Sequence, residues 1–224
     1  MINRTSPHSV LVVGATGLVG SKLLDLLLED IAVSRVIVIG RSKPVRASSK
    51  IDFHYFDFQD YKSIEPLFLG VFSVYCCIGT TIKLAGSNEN FRKVDFDIPV
   101  ELARIAELMK VSSYLVISSL KASPNSSNFY LKTKGEMELA VSNFKIPKTA
   151  FFRPSLLLGP RKESRSLEKL MKVFFTTFGF LLKGRLKNFK PVSYEVVAQA
   201  MIRVSYSSSN MKVYETDEIR WIGK

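Results

Sequence analysis

The segment VLVVGATGLVGSKLL, starting at Val10, constrains this chain more than any other. A short β-branched run, Ser9 to Gly14, is closed by glycine, and apolar residues at helical spacing follow in LVGSKLLDLLLED. Gly14, Gly17 and Gly20 therefore fall between a buried strand and a helix. Glycines there permit a tight turn and let backbone N–H groups approach a pyrophosphate at the positive end of the helix. The spacing is G-x-x-G-x-x-G. A nucleoside-triphosphate loop, G-x-x-x-x-G-K-[ST], does not fit, because Ala15 stands where its first glycine belongs and Ser21-Lys22 follows Gly20.

The alternation continues along the chain. Apolar or β-branched runs read as strands at Arg35 to Gly40, Asp52 to Phe56, Val71 to Gly79, Ser113 to Ser119 and from Lys148 to Pro154. Between the last three lie two helical segments, IPVELARIAELMKV and YLKTKGEMELAVSNF, the second weakened by Gly135. SYEVVAQAMIRVSYSS is a further helix with Ser193 in its N-cap region, and KVYETDEIRWIGK reads as a short strand and a tail. This order predicts an α/β fold, a doubly wound, mostly parallel sheet of the NAD(P)-binding Rossmann type. A length of 224 residues with no composition break suits one domain over 1–224, with about 155–190 and 207–224 on the substrate side.

The end of the second strand bears on the cofactor. An acid there would hold the ribose hydroxyls of NAD, whereas arginine accommodates the 2′-phosphate of NADP. The sequence reads VIVIGRSKPVR, with Arg41, Lys43 and Arg46 and no acid. NADP(H) is thus expected over NAD(H), with Arg41 as main contact and Ser42 or Lys43 assisting.

Other features narrow the class. Apolar residues make up 46% and charged ones 23%, and no apolar run reaches the length of a membrane span. The N-terminus lacks the apolar core and cleavage site of a secretory signal, so a cytoplasmic protein is expected. Cys76 and Cys77 are adjacent and read as reduced, buried thiols; His8 and His54 are isolated, so no metal is expected. The net charge is +12, and nine basic residues between Arg161 and Lys190 face only Glu163 and Glu168. Such a stretch suits a solvated face, an anionic ligand, a membrane surface or a partner. No DNA- or RNA-binding motif accompanies it, so a small-molecule substrate is expected rather than nucleic acid, with a protein partner or homo-oligomer left open.

The glycine loop, CIGTTIKLAGS after the fourth strand, VISSLKA at the fifth and Tyr130-x-x-x-Lys134 together resemble the short-chain dehydrogenase/reductase superfamily in its atypical branch. CIGTT, AGS, SSNF before the tyrosine, KGE after it, FRP and ESR are more specifically similar to the oxidoreductases related to the human Tat-interacting protein two. The resemblance implies a Ser-Tyr-Lys set of Ser119, Tyr130 and Lys134, with Ser118 as the alternative serine. It also implies that Thr16, Leu18 and Val19 complete the cofactor loop with the three glycines. Asp57 and Phe58 would sit by the adenine, Gly79 and Thr80 by the ribose, and Pro154 and Leu156 behind the nicotinamide. The superfamily often has an asparagine after the fourth strand that helps relay protons; KVDFD puts Asp95 there, which leaves the relay open.

Those residue types fit hydride chemistry. A free tyrosine is a poor base near neutrality, with a pKa of about 10, and a neighbouring ammonium favours the phenolate. A spacing of four places both side chains on one helix face. Tyr130 would exchange the proton on the substrate oxygen, Lys134 would assist it, and a serine would hold the oxygen; the resemblance implies that Lys134 also binds the nicotinamide ribose. PNSSN before the tyrosine reads as a flexible turn-rich wall. The expected function is an NADP(H)-dependent oxidoreductase of a carbonyl or alcohol. The alternative is an NADP(H)-binding regulatory or interaction module, since one fold hosts both. A sugar-nucleotide epimerase or dehydratase is a sub-class that the short C-terminal region disfavours.

Overall fold

The computed structural model describes residues 7–159, 190–209 and 211–224. Seven parallel strands run in the order β3-β2-β1-β4-β5-β6-β9. They are β1 (His8–Val13), β2 (Val33–Gly40), β3 (Ile51–Tyr55), β4 (Val71–Cys76), β5 (Ser113–Ile117), β6 (Lys148–Arg153) and β9 (Val213–Glu215). A separate two-stranded pair joins β7 (Leu157–Leu158) to β8 (Val192–Ser193). The helices are α1 (Leu18–Glu29), the short α2 (Ile82–Ala85) and α3 (Asn88–Arg92), α4 (Ile98–Leu108), α5 (Phe129–Ser142), α6 (Tyr194–Tyr206) and α7 (Thr216–Gly223). A π turn, Lys93–Asp97, links α3 to α4.

Strand alternation divides the core into two layers. Val10, Val12, Val36 and Val38 pack under α1 and α6 with Leu23, Leu27, Val197 and Met201. Leu11, Val13, Ile37 and Ile39 face the opposite layer, where α4 and α5 contribute Leu102, Ile105, Met137 and Val141. Strands β1, β2, β4, β5 and β6 are buried along much of their length, the pattern of a sheet covered on both faces. The strand order reverses between β1 and β4, because β2 and β3 extend one way from β1 and β4, β5, β6 and β9 the other. That switch point is where open α/β sheets form a crevice beyond the strand ends.

The six expected strands are present, with two adjustments. The fourth ends at Cys76 rather than Gly79: beyond it, Cys77 donates its N–H to Val13 and the chain passes close under the glycine loop. The C-terminal tail is helix α7. Its first turn carries Asp217 and Glu218, favourable at a helix N-terminus, and it buries Ile219. The basic stretch up to Lys187, with the phenylalanines at 174, 175, 178 and 180 inside it, and most of the expected substrate-side region lie outside the described residues.

Candidate active site

The glycine loop is dictated by close backbone approach. Gly14 has φ +85°, and a Cβ on it would lie 2.7 Å from the Cys77 carbonyl group. A Cβ on Gly20 would fall 2.1 Å from the Gly14 oxygen, so α1 can start this near β1 only with glycine there. The Gly17 N–H donates to the Gly14 carbonyl at 3.0 Å, closing the turn. Gly17 caps α1 without a side-chain hydrogen bond, and the first helical turn has no acid. The N–H groups of that turn thus carry the positive end of the helix with no side chain capping them.

These groups border a cavity of about 200 Å³. Gly14, Ala15, Thr16 and Gly17 form one wall, the end of β2 from Val38 with Arg41 and Ser42 another, and Phe58, Cys77, Ile78 and Gly79 the remainder. Arg41 follows the last residue of β2, is exposed, and has no hydrogen bond or ion pair with another described residue. Arg46, by contrast, is fixed to Asp25 through two hydrogen bonds of 2.6 and 2.9 Å. Lys43 is exposed and does not line the cavity. Phe58 packs edge-on against Phe56 at 5.0 Å, while exposed Asp57 accepts the Gln59 N–H. Leu18 packs at Gly159 and Val19 lies in the core, so within this loop Val19 can offer a ligand only its backbone.

The second group of residues gathers around the end of β5. Asn128 caps α5 by accepting the Leu131 N–H, which places Tyr130 in the first turn, 5.4 Å from the Phe91 ring. Lys134, one turn on, is 3% exposed. Its Nζ lies 2.7 Å from Asp95 Oδ1 and donates to the Ile117 carbonyl at 3.3 Å. The Asp95 contact is an ion pair rather than an aligned hydrogen bond. The other Asp95 oxygen accepts the Thr80 N–H at 2.9 Å. Burial pushes the lysine toward its neutral form, but Asp95 and Tyr130 outweigh it, and the Lys134 pKa is raised.

Ser119 is half-buried, and among the described residues its hydroxyl makes only a 3.4 Å contact, to the Leu120 carbonyl. Ser118 is buried, and its hydroxyl has no partner among the described residues. A hydroxyl that must meet a substrate needs access, which Ser119 has. Pro154 accepts the Leu120 N–H, so the loops after β5 and β6 are joined, and Leu156 accepts the Val192 N–H where β7 meets β8. Cys76 and Cys77 are free thiols held protonated by burial, one in each core layer.

Three contacts were not read from the sequence. The first is the Asp95–Lys134 pair. Phe91, Asp95, Ile98 and Leu102 follow helical spacing and are all buried, so an acid inside an apolar stripe was the available signal. The second is Gly135. A Cβ there would sit 2.1 Å from the Ser123 carbonyl carbon, so the glycine lets the loop before Tyr130 lie against α5. Ser123, Ser126 and Asn128 organise that loop by successive side-chain-to-backbone bonds. Gly135→Ala should therefore lower Tm even though alanine gains about 1 kcal/mol of helix propensity, because overpacking typically costs 1–3 kcal/mol or more. A rise in Tm on thermal unfolding would contradict this contact. The third is the pairing of Arg153 at the end of β6 with buried Glu138 of α5, at 2.9 and 2.5 Å, which ties the helix to the sheet.

Residues 10–178 match the NAD dependent epimerase/dehydratase family. The chain belongs to that family. It is 33% identical to Protein HTATIP2 of Rattus norvegicus over 225 residues, covering 96% of this chain and 89% of that one. It is 30% identical to Protein FMP52-1, mitochondrial, of Scheffersomyces stipitis, covering 94% and 96%. Among solved structures, the Helicobacter pylori ADP-L-glycero-D-manno-heptose-6-epimerase superposes with a TM-score of 0.70 at 18% identity, over 98% of this chain and 82% of that one. The Bacillus cereus UDP-glucuronic acid 4-epimerase, in complex with UDP-glucuronic acid and NAD, gives 0.67 at 16% identity, over 92% and 76%. These likenesses establish an NAD(P)-binding Rossmann-type fold for this family member.

The expected cytoplasmic placement does not stand. Relatives from Scheffersomyces stipitis, Meyerozyma guilliermondii, Debaryomyces hansenii and Aspergillus niger carry "mitochondrial" in their names. The reading rested on the missing secretory signal, and a mitochondrial address has a different composition.

Proposed function

We propose that the chain is an NADP(H)-dependent oxidoreductase acting on a carbonyl or alcohol. The observation that carries this reading is the cavity that joins a helix N-terminus without a side-chain cap to Arg41 at the end of β2, unpaired among the described residues. The glycine loop would take the pyrophosphate, with Gly14, Gly17 and Gly20 giving the backbone room and Thr16 and Leu18 at its rim. Arg41 would hold the 2′-phosphate, supported by Ser42 and, from outside the cavity, Lys43. Phe58 would present its ring to the adenine, with Asp57 beside it.

Bound there, the nicotinamide supplies or accepts hydride. Gly79 lines the cavity and lies beside Lys134, whose ammonium would hold the ribose, with Thr80 next to it. Pro154 and Leu156 would back the nicotinamide. Tyr130 would exchange the proton on the substrate oxygen, and Ser119 would orient that oxygen.

A fragment competition tests the adenosine end of this reading. Adenosine 2′-phosphate 5′-diphosphoribose, which lacks nicotinamide, should displace NADPH, whereas ADP-ribose should do so only at far higher concentration. Failure of the phosphorylated fragment to compete would contradict the assignment.

A further inference from the structure

We propose that Asp95 is a positioning residue of this site: its carboxylate fixes the Lys134 ammonium and joins it to the Gly79–Thr80 segment of the cavity wall. The inference rests on the reading that Lys134 serves the cofactor, and it adds a residue whose role comes from contacts with other protein groups.

One carboxylate makes both connections. Oδ1 meets Lys134 at 2.7 Å and Oδ2 accepts from Thr80 at 2.9 Å. Gly79 completes the junction, because a Cβ there would lie 3.3 Å from Asp95 Oδ1 and 3.9 Å from Lys134 Nζ. The backbone of Gly79 is thus a wall of the cavity on one side and a cover for the ion pair on the other. A shift of this segment moves the acceptor of the lysine with it.

The local backbone explains how the acid reaches inward. Lys93–Asp97 is a π turn between α3 and α4, and such turns insert one residue into the helical ladder, often at functional sites. Asp95 sits in it at 1% exposure. Arg92 and Lys93 in the same region have partners elsewhere, Glu136 and Glu89. Asp95 is left to the lysine.

The pair also governs the charge of the lysine. The ionisable groups facing Lys134 are Asp95 from the π turn, Tyr130 from its own helix and Cys76 from β4. Of these, Asp95 alone is a carboxylate at ion-pair distance, 2.7 Å. Burial by itself drives a lysine toward the neutral amine. Without Asp95 the ammonium would lose its main compensation. With it, the ammonium is held between the ion pair to Asp95 and the hydrogen bond to the Ile117 carbonyl.

The test uses the full chain without cofactor, with 13C-labelled lysines. Lys134 13Cε is assigned by its loss in Lys134→Met and followed through a pH titration by NMR. In the wild-type protein Lys134 should keep its proton to higher pH than an ordinary lysine. In Asp95→Asn, which keeps the shape and the acceptor for Thr80, it should lose the proton below the ordinary value of about 10.4. Asp95→Glu should restore the charged form at least in part. Identical titrations in wild type and Asp95→Asn would overturn the proposal.

If Asp95→Asn does not fold at alkaline pH, thermal unfolding at neutral pH supplies a second arm. Asp95→Asn should lower Tm by roughly 10 °C, as expected for an unpaired buried charge, and adding Lys134→Met should recover much of the loss. Losses that simply add would overturn the pairing. Because both arms use the cofactor-free protein, they are separable from the functional reading. A shifted lysine in a protein that does not bind NADPH would sink that reading alone. An unshifted lysine in one that does would sink this proposal alone.

Discussion

Tyr130→Phe should remove turnover while leaving NADPH binding nearly intact. Loss of a positioned general acid or base lowers the rate by roughly 10²–10⁴-fold. The substitution deletes one oxygen and keeps the ring, so the packing against Phe91 at 5.4 Å is retained. Asn128 still caps the helix, and Lys134 still has Asp95 and the Ile117 carbonyl as partners. Steady-state kinetics with any carbonyl substrate the wild-type protein reduces, alongside NADPH titration, reads both quantities. Full turnover by Tyr130→Phe would contradict the assigned role. Parallel loss of cofactor binding would point to damage of α5 rather than to chemistry.

Arg41→Ala should cost NADPH binding roughly 10- to 100-fold, the range for loss of a charged hydrogen bond or two, and should leave NADH binding almost unchanged. The guanidinium is exposed and borders the cavity beside Gly40 and Ser42, with no described carboxylate engaging it. Its removal strands no buried partner, so stability should hardly move. The two neighbouring cations differ in consequence. Arg46 is already bound to Asp25, and its replacement by alanine should affect neither cofactor. Lys43 stands outside the cavity, so its loss should weaken NADPH only slightly and more at low salt than at high.

The sheet was readable because each layer of this fold writes a separate signal. Buried parallel strands appear as unbroken β-branched runs, and glycine marks where β1 gives way to α1. The seventh strand of the sheet is only three residues, too short for periodicity to register strongly; a short strand was readable in KVYE, but its place beside β6 was not. Helix α7 was not, because Trp221 faces outward while Ile219 faces inward, and the polar Asp217, Glu218 and Arg220 around them imitate a loose tail. At the site, local order placed Tyr130, Lys134 and Arg41. What the sequence hid were contacts between distant segments. Gly135 looked like a flaw in a helix until Ser123 was found against it. Asp95 could be put in the right turn, but its partner Lys134 lies 39 positions away on another helix, 2.7 Å distant only after folding.

The central claim is that this chain holds NADP(H) through the cavity between its glycine loop and Arg41. Equilibrium titration of the purified wild-type protein with NADPH and, separately, NADH tests it most directly. The account predicts saturable binding of one NADPH per chain, at least tenfold tighter than NADH, as follows from roughly 1.4 kcal/mol of added phosphate contact. Equal affinity for the two, or binding of neither, would contradict it.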